Sequence, residues 1–285
     1  MTSLDCVKPV STRVIPRFVL FSILPLLAVT FLFCSTPGTN AQTQERTKVA
    51  EGEYLIHTED PYDTEQLLRE SWVLWRIGDA GYLVESALHL EKPGGEPNVL
   101  EQSVYLSSRL RPQQIKTTSL SSKPVYRTDF QKAGDKIRVT DSEGKSTEID
   151  WRGEDIYSPE LPWTWTSLVR RAGLVRGQGY PLSFVSMDVD GPDRELSLLK
   201  SWGRAQCLGT EQLEVPSQKF TSTKYVLHLG PFSGFFVWIS EGGLVLASQG
   251  EENPKERMEI SKLRIYEQLP KLDDPLARKT TPHKP

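Results

Sequence analysis

Cysteine is scarce in this chain: Cys6, Cys34 and Cys207 are the only three among 285 residues. Cleavage of a leader after Ala41 leaves Cys207 alone, so the remaining body forms no internal disulfide and relies on a packed core. Asparagine is nearly as rare, and none of Asn40, Asn98 and Asn253 opens an Asn-x-Ser/Thr glycosylation acceptor. There is no Gly-x-Ser-x-Gly elbow, no phosphate loop ending in Gly-Lys-Ser/Thr, no His-Glu-x-x-His helix and no pair of Cys-x-x-Cys motifs. Those absences argue against a hydrolase, a kinase or a zinc enzyme, and the chain reads as a non-enzyme with no cofactor and no metal. Charge of one sign is missing as well. The 34 basic and 37 acidic residues are interspersed and sum to −3. Removing Lys8, Arg13 and Arg17 together with Asp5 takes the body from −3 to −5. Without a basic footprint, nucleic acid is not an expected partner.

Residues 1–17 carry those three basic side chains against one acid, and residues 18–34 are an uncharged run of apolar and small side chains. That order is an export-signal layout. Ser35, Thr36, Pro37 and Gly38 break any helix, and Thr39, Asn40 and Ala41 offer a signal peptidase its small residues, so cleavage is expected between Ala41 and Gln42. Retention of residues 18–34 as a membrane anchor is the alternative, since the run sits at the short limit for a span. Lipidation of Cys34 is disfavoured by the bulky Phe33 before it. All versions send the body outward, because positive charge stays on the cytoplasmic side. The expected location is periplasmic or extracellular. The expected organisation is a signal over residues 1–41, a linker over 42–51, one mainly-β domain over 52–269 and a disordered polar tail over 270–285.

Between residues 52 and 151 apolar positions recur with period two and turn chemistry interrupts them every 8 to 12 residues, which predicts consecutive antiparallel strands. Val73, Trp75 and Ile77 share one face of a strand; Gly78, Asp79, Ala80 and Gly81 turn the chain; Tyr82, Val84, Leu88 and Leu90 return it. Val104, Leu106 and Leu110 mark a third strand, and turns at residues 133–135 and 142–144 separate Phe130, Ile137, Val139 and Ile149. One wet face gives this alternation in an antiparallel sheet, whereas a buried parallel sheet gives continuous apolar runs. Ser158, Pro159 and Glu160 form a helix-start signal, followed by Leu161, Trp165, Leu168, Val169 and Ala172 at helical spacing and a stop at Gly173. A short amphipathic helix packed on the apolar face of a long curved sheet is the expected architecture. Strands return over residues 182–187, 196–202, 224–229, 235–239, 244–247 and 258–266.

The chemistry-bearing residues are few. His89 and His228 fall within strands and read as strand histidines rather than as a metal pair; His57 with Asp60 and Asp63 reads as loop more simply than as a catalytic set. Asp188, Asp190, Asp193 and Glu195 crowd one segment, but Gly191 directly after the second aspartate does not fit a calcium loop, and the segment is a good hairpin turn. Seven tryptophans are the most suggestive feature, with Trp163 and Trp165 at the helix start and Trp72, Trp75, Trp202 and Trp238 on strands. Most serve packing; the rest line a cavity or meet a membrane interface.

An export signal, a one-sided antiparallel meander, helical material between strand sets and a closing hairpin around Trp238, Ile239, Ser240, Leu244 and Val245 resemble the periplasmic lipoprotein-carrier superfold of LolA- and LolB-like half-barrels and their envelope relatives. The resemblance covers residues 52–268 as a pattern and transfers no site by motif. It implies a curved sheet enclosing an apolar cavity, with Trp163, Trp165 and Leu168 near its lining, and Trp238 completes the candidate set. The expected function is an exported, non-catalytic envelope protein binding an apolar ligand, a lipid or a lipoprotein. A factor that binds another envelope protein is the alternative, and an enzyme of unknown type is the third reading.

Overall fold

The computed structural model describes residues 45–59, 65–90, 98–120, 126–158, 161–170, 176–190, 195–216, 218–230 and 234–269. The expected signal, the disordered tail, Asp60, Asp63, Gly173 and the acidic turn at residues 191–194 lie outside them. Nine strands precede the one helix among these residues: β1 (Arg46–Glu59), β2 (Glu65–Ile77), β3 (Gly81–Leu90), β4 (Asn98–Ser107), β5 (Pro112–Ser119), β6 (Tyr126–Ala133), β7 (Lys136–Asp141), β8 (Ser146–Asp150) and β9 (Asp155–Tyr157). Helix α1 (Pro162–Arg170) follows, then β10 (Gly179–Asp190), β11 (Glu195–Val215), β12 (Gln218–Leu229), β13 (Phe235–Ser240), β14 (Val245–Gly250) and β15 (Arg257–Ile265).

The strands make a single curved, unclosed sheet in the order β8-β7-β6-β5-β4-β3-β2-β1-β15-β14-β13-β12-β11-β10-β9. Pairing is antiparallel throughout except for β9 with β10, which is parallel. The first and last strands in sequence therefore join mid-sheet, and the two free edges belong to β8 and β9, which are neighbours in sequence.

Turn chemistry places the hairpins. Gly78 and Gly81 both have positive φ, and a Cβ on Gly81 would lie 2.1 Å from the Leu106 carbonyl oxygen, so only glycine fits that corner. The Asp141 carboxylate accepts the Glu143 and Lys145 backbone N–H groups, each at 2.9 Å, and Gly144 takes the left-handed position. At the β13 to β14 turn the Ser240 hydroxyl accepts the Leu244 N–H at 3.0 Å.

Register fixes the inward face. Ala50, Leu74, Val84, Val104, Ile115, Phe130 and Val139 are direct partners on seven successive strands, and all are buried. This continuous apolar row is the wall of the core. Helix α1 lies against it, with Trp163 edge-on to Trp72 of β2 at 5.0 Å and Trp165 against Phe235 of β13 at 5.0 Å. The helix thus bridges two distant parts of the sheet. Residues 161–169 are buried on every side. Its hydroxyl side chains are satisfied: Thr164 donates to Leu161 O at 2.8 Å, Ser167 to Thr164 O at 2.9 Å and Thr166 to Gly243 O at 2.9 Å.

The free edges are latched rather than laddered. Thr147 of β8 donates to Leu196 O of β11 at 3.2 Å, and Lys200 of β11 donates to Asp150 O at 2.6 Å and to Glu154 at 2.9 Å. On β10, Leu182 and Phe184 are buried on one face and Val185 on the other.

Several expectations change. β1 begins at Arg46, inside the stretch taken for a linker, because Val49 and Ala50 are buried between β2 and β15. On β2 the core face carries Glu70, Trp72 and Leu74, the phase opposite to Val73 and Trp75. Leu110 lies in the β4 to β5 turn with a φ of 57°. The helix starts at Pro162 rather than after Ser158, with proline in the first turn where its missing N–H costs nothing. β9 and the extension of β11 to Val215 carry no alternation that the sequence makes evident.

Candidate functional site

Between the apolar row and the next row along the strands, the inner wall turns polar. Trp72, Ser86, Gln102, Thr117 and Thr128 are successive direct partners from β2 to β6, so their side chains line one face. Gly52 precedes them on β1 because the Trp72 ring lies over it: a Cβ there would sit 2.5 Å from Trp72 Cζ2. The row beyond contains Tyr54, Glu70, Leu88 and Leu100, again direct partners, with Glu70 as the one acid among them. An alternating strand delivers Glu70 inward for the same geometric reason that it delivers Trp72 and Leu74.

Glu70 is 0% exposed, and neither carboxylate oxygen has a hydrogen-bond partner. The Ser86 hydroxyl is close enough to favour the charged form without making a bond of acceptable geometry, so burial dominates and raises the acid to about 7. Tyr54, directly opposite on β1, spends its hydroxyl proton on Val245 O at 2.9 Å. Burial, together with the nearby Glu70 charge, holds that phenol well above its ordinary value. Trp72 Nε1, Ser86 Oγ, Gln102 Oε1, Thr128 Oγ1, Trp163 Nε1 and Trp165 Nε1 are likewise buried without partners. Folded proteins rarely leave such groups unpaired, since each costs about 1–3 kcal/mol. Glu70, Trp72, Ser86, Gln102 and Thr128 lie on one inner wall and Trp163 and Trp165 on the helix, so that wall and helix hold hydrogen-bonding capacity that the described residues do not use.

Trp163, Trp165 and Leu168 all lie in the interior. Tyr54, Trp72 and Trp163 form an aromatic series, with centroids 5.6 and 5.0 Å apart. Trp238 is not brought to them. It projects from the opposite face of β13, where its indole donates to Glu211 and Lys224 lies 4.5 Å from its ring. The reason is phase: Phe235, Val237 and Ile239 take the inward positions. Sequence reasoning missed Glu70, Ser86, Gln102 and Thr128. The usable signal was Glu70 in step with Trp72 and Leu74, an acid in the apolar phase of a strand.

The remaining candidates stay apart. His228 pairs with Glu251 at 2.9 Å, His57 lies 4.0 Å from Glu259, and His89 is on β3. Among the described residues no group of three His, Cys, Asp or Glu side chains converges as a metal site. Cys207 is buried, and burial pushes its thiol up, away from reactivity. An open groove of about 880 Å³ crosses β1 to β4 and β15, edged by Glu51, Glu53, Glu85, Glu101, Lys262 and Arg264. Its charges are mixed, and none of the four predicted cavity residues lines it.

No protein-family model matches the chain, and no curated protein matches it. Among solved structures, a beta-barrel-like protein of the domain of unknown function DUF1849 from Brucella abortus is similar with a TM-score of 0.48 and 12% identity, over 77% of this chain and 98% of that one. A DUF1089 family protein from Pseudomonas aeruginosa is similar with a TM-score of 0.41 and 19% identity, over 63% of this chain and 87% of that one.

Proposed function

We propose that this chain is an exported, non-catalytic envelope protein that carries an apolar or lipidated ligand between helix α1 and the inner wall of its rolled sheet, in the manner of the LolA- and LolB-like carriers it resembles. One observation carries the reading. The wall opposite the helix combines a continuous apolar row with an adjacent strip in which Trp72, Ser86, Gln102 and Thr128 are buried and carry unpartnered polar atoms. An amphipathic guest satisfies both strips at once: its chain against Leu74, Val84 and Val104, its polar end on the unpaired groups. The uncharged run at residues 18–34 behind basic residues supports export.

The unclosed seam supplies a route inward. The β8 end meets β11 through side chains and single carbonyls, contacts that separate at lower cost than a backbone ladder. Binding of a partner envelope protein is the second reading, favoured by Trp202, which is 77% exposed on β11.

Native mass spectrometry of the protein purified from its own envelope tests the first reading. A bound small amphiphile that organic extraction removes is the expected result; a ligand-free protein whose crystal structure shows a dry, fully packed interior would overturn it.

A further inference from the structure

The carboxyl of Glu70 has the least ordinary surroundings of any ionisable group among the described residues. A buried carboxylate is tolerated only when a proton or a cation neutralises it. Its direct strand partners are Tyr54, committed to Val245 O, and Leu88, which offers nothing polar. Burial and the Ser86 hydroxyl are the influences acting on its charge; among the described residues no lysine or arginine compensates it. Arg69, the neighbour in sequence, points to the other face and pairs with Glu53 at 3.3 Å. Among the described residues, then, no positive charge meets Glu70.

The surroundings also suit such a charge. Tyr54 and Trp72 are in ring contact, Trp72 and Trp163 likewise, and both Tyr54 and Trp72 sit on the strand positions next to Glu70. Aromatic faces beside a carboxylate attract an ammonium group more strongly than a neutral one, and more so where water is excluded. A fatty-acid carboxylate or a lipid phosphate in the same place would set like charges together in a low-dielectric interior.

Resting on the carrier reading above, we infer that Glu70 seats the polar end of the interior ligand and that this end is an ammonium: the ligand class is an apolar chain ending in an amine, not a fatty acid or a phospholipid. The head lies at Glu70 between the Tyr54 and Trp72 side of the wall and Ser86. The chain runs along the apolar row beneath the helix.

The test compares decylamine, decanoate and decanol, each below its micellar concentration, for displacement of a fluorescent apolar probe from the full chain and from the Glu70→Gln variant. Decylamine is expected to bind the unaltered protein at least about tenfold more tightly than decanoate, and Glu70→Gln is expected to remove that preference while decanol changes by less than about threefold. The ranking in the unaltered protein needs no variant, so a misfolded variant does not rescue the inference. Decanoate binding as tightly as decylamine overturns it, as does an amine preference that survives Glu70→Gln. If decanol binds and the amine gains nothing, the Glu70 assignment fails and the carrier reading stands; if none of the three binds, both fail.

Discussion

Arg111, just ahead of β5, grips Asp155 of β9 through two donors on one carboxylate oxygen, Nη2 at 2.6 Å and Nε at 2.9 Å, across 44 residues of sequence. The Asp155 side chain is 2% exposed while Arg111 is 39% exposed, so the pair is a half-buried clamp on the strand that carries the free edge. Glu154 next to it is held charged: burial opposes ionisation, but the Arg152 N–H and the Lys200 ammonium outweigh it and lower its pKa. Together these contacts fasten a seam that has no ladder between β8 and β9.

Arg111→Ala strands a buried carboxylate and is expected to cost about 2 kcal/mol, less than a fully buried pair because the guanidinium is partly solvated. Urea unfolding measures the loss. Hydrogen exchange is expected to quicken in β8 and β9 before β1 to β4; uniform quickening would count against a local seam.

Glu70 makes stability fall as pH rises through the neutral range. Its folded value of about 7 stands above the ordinary 4.5, so the folded state holds the proton more tightly than the unfolded chain does. The contribution is fully present below about 4.5, declines between there and 7, and is flat above, with a total of roughly 3 kcal/mol. Glu51, Glu53, Glu148 and Glu154 have lowered values and act in the opposite direction, as pH falls through their folded values. Denaturation near pH 5 and pH 8 separates the effects: Glu70→Gln is expected to flatten the decline and to be the more stable protein at the higher pH.

Gly52→Ala is expected to destabilise by about 1–3 kcal/mol, since the new methyl would lie 2.5 Å from Trp72 Cζ2 and 2.7 Å from the Lys262 carbonyl oxygen. The ring has to move, so near-ultraviolet circular dichroism is expected to change along with the unfolding midpoint. An unchanged aromatic signal would mean that Trp72 does not lie across Gly52.

Trp163→Ala and Trp238→Ala should differ sharply although both remove an indole. The first empties space between helix and sheet and is expected to cost about 3–5 kcal/mol; the second strips a partly exposed ring from the outer face and is expected to cost about 1 kcal/mol. Thermal melts compare them. Binding of an apolar probe is expected to weaken only with the Trp163 change.

Much of the architecture was readable because its causes are local. The alternation around Phe130, Ile137 and Val139, the glycines at 78, 81, 144 and 243, and the run of residues 235–239 ahead of a Ser-Glu-Gly-Gly turn specify hairpins through backbone geometry and side-chain direction alone. The site was less readable. On β2 both phases of the alternation carry a tryptophan, Trp72 in one and Trp75 in the other, and no local rule selects the inward one. The same ambiguity hid the outward direction of Trp238. β9, of three residues, is too short to show a period at all.

The sequence by itself determined that strands dominate, where the chain turns, and that one tryptophan-bearing helix interrupts them, since each depends on neighbouring residues only. Tertiary structure alone decided that β1 pairs with β15, that the free edges fall at β8 and β9, and that Glu70 rather than Trp238 faces the interior. Those outcomes depend on which way the sheet curls and on what its two ends meet, and both are properties of the whole chain rather than of any segment.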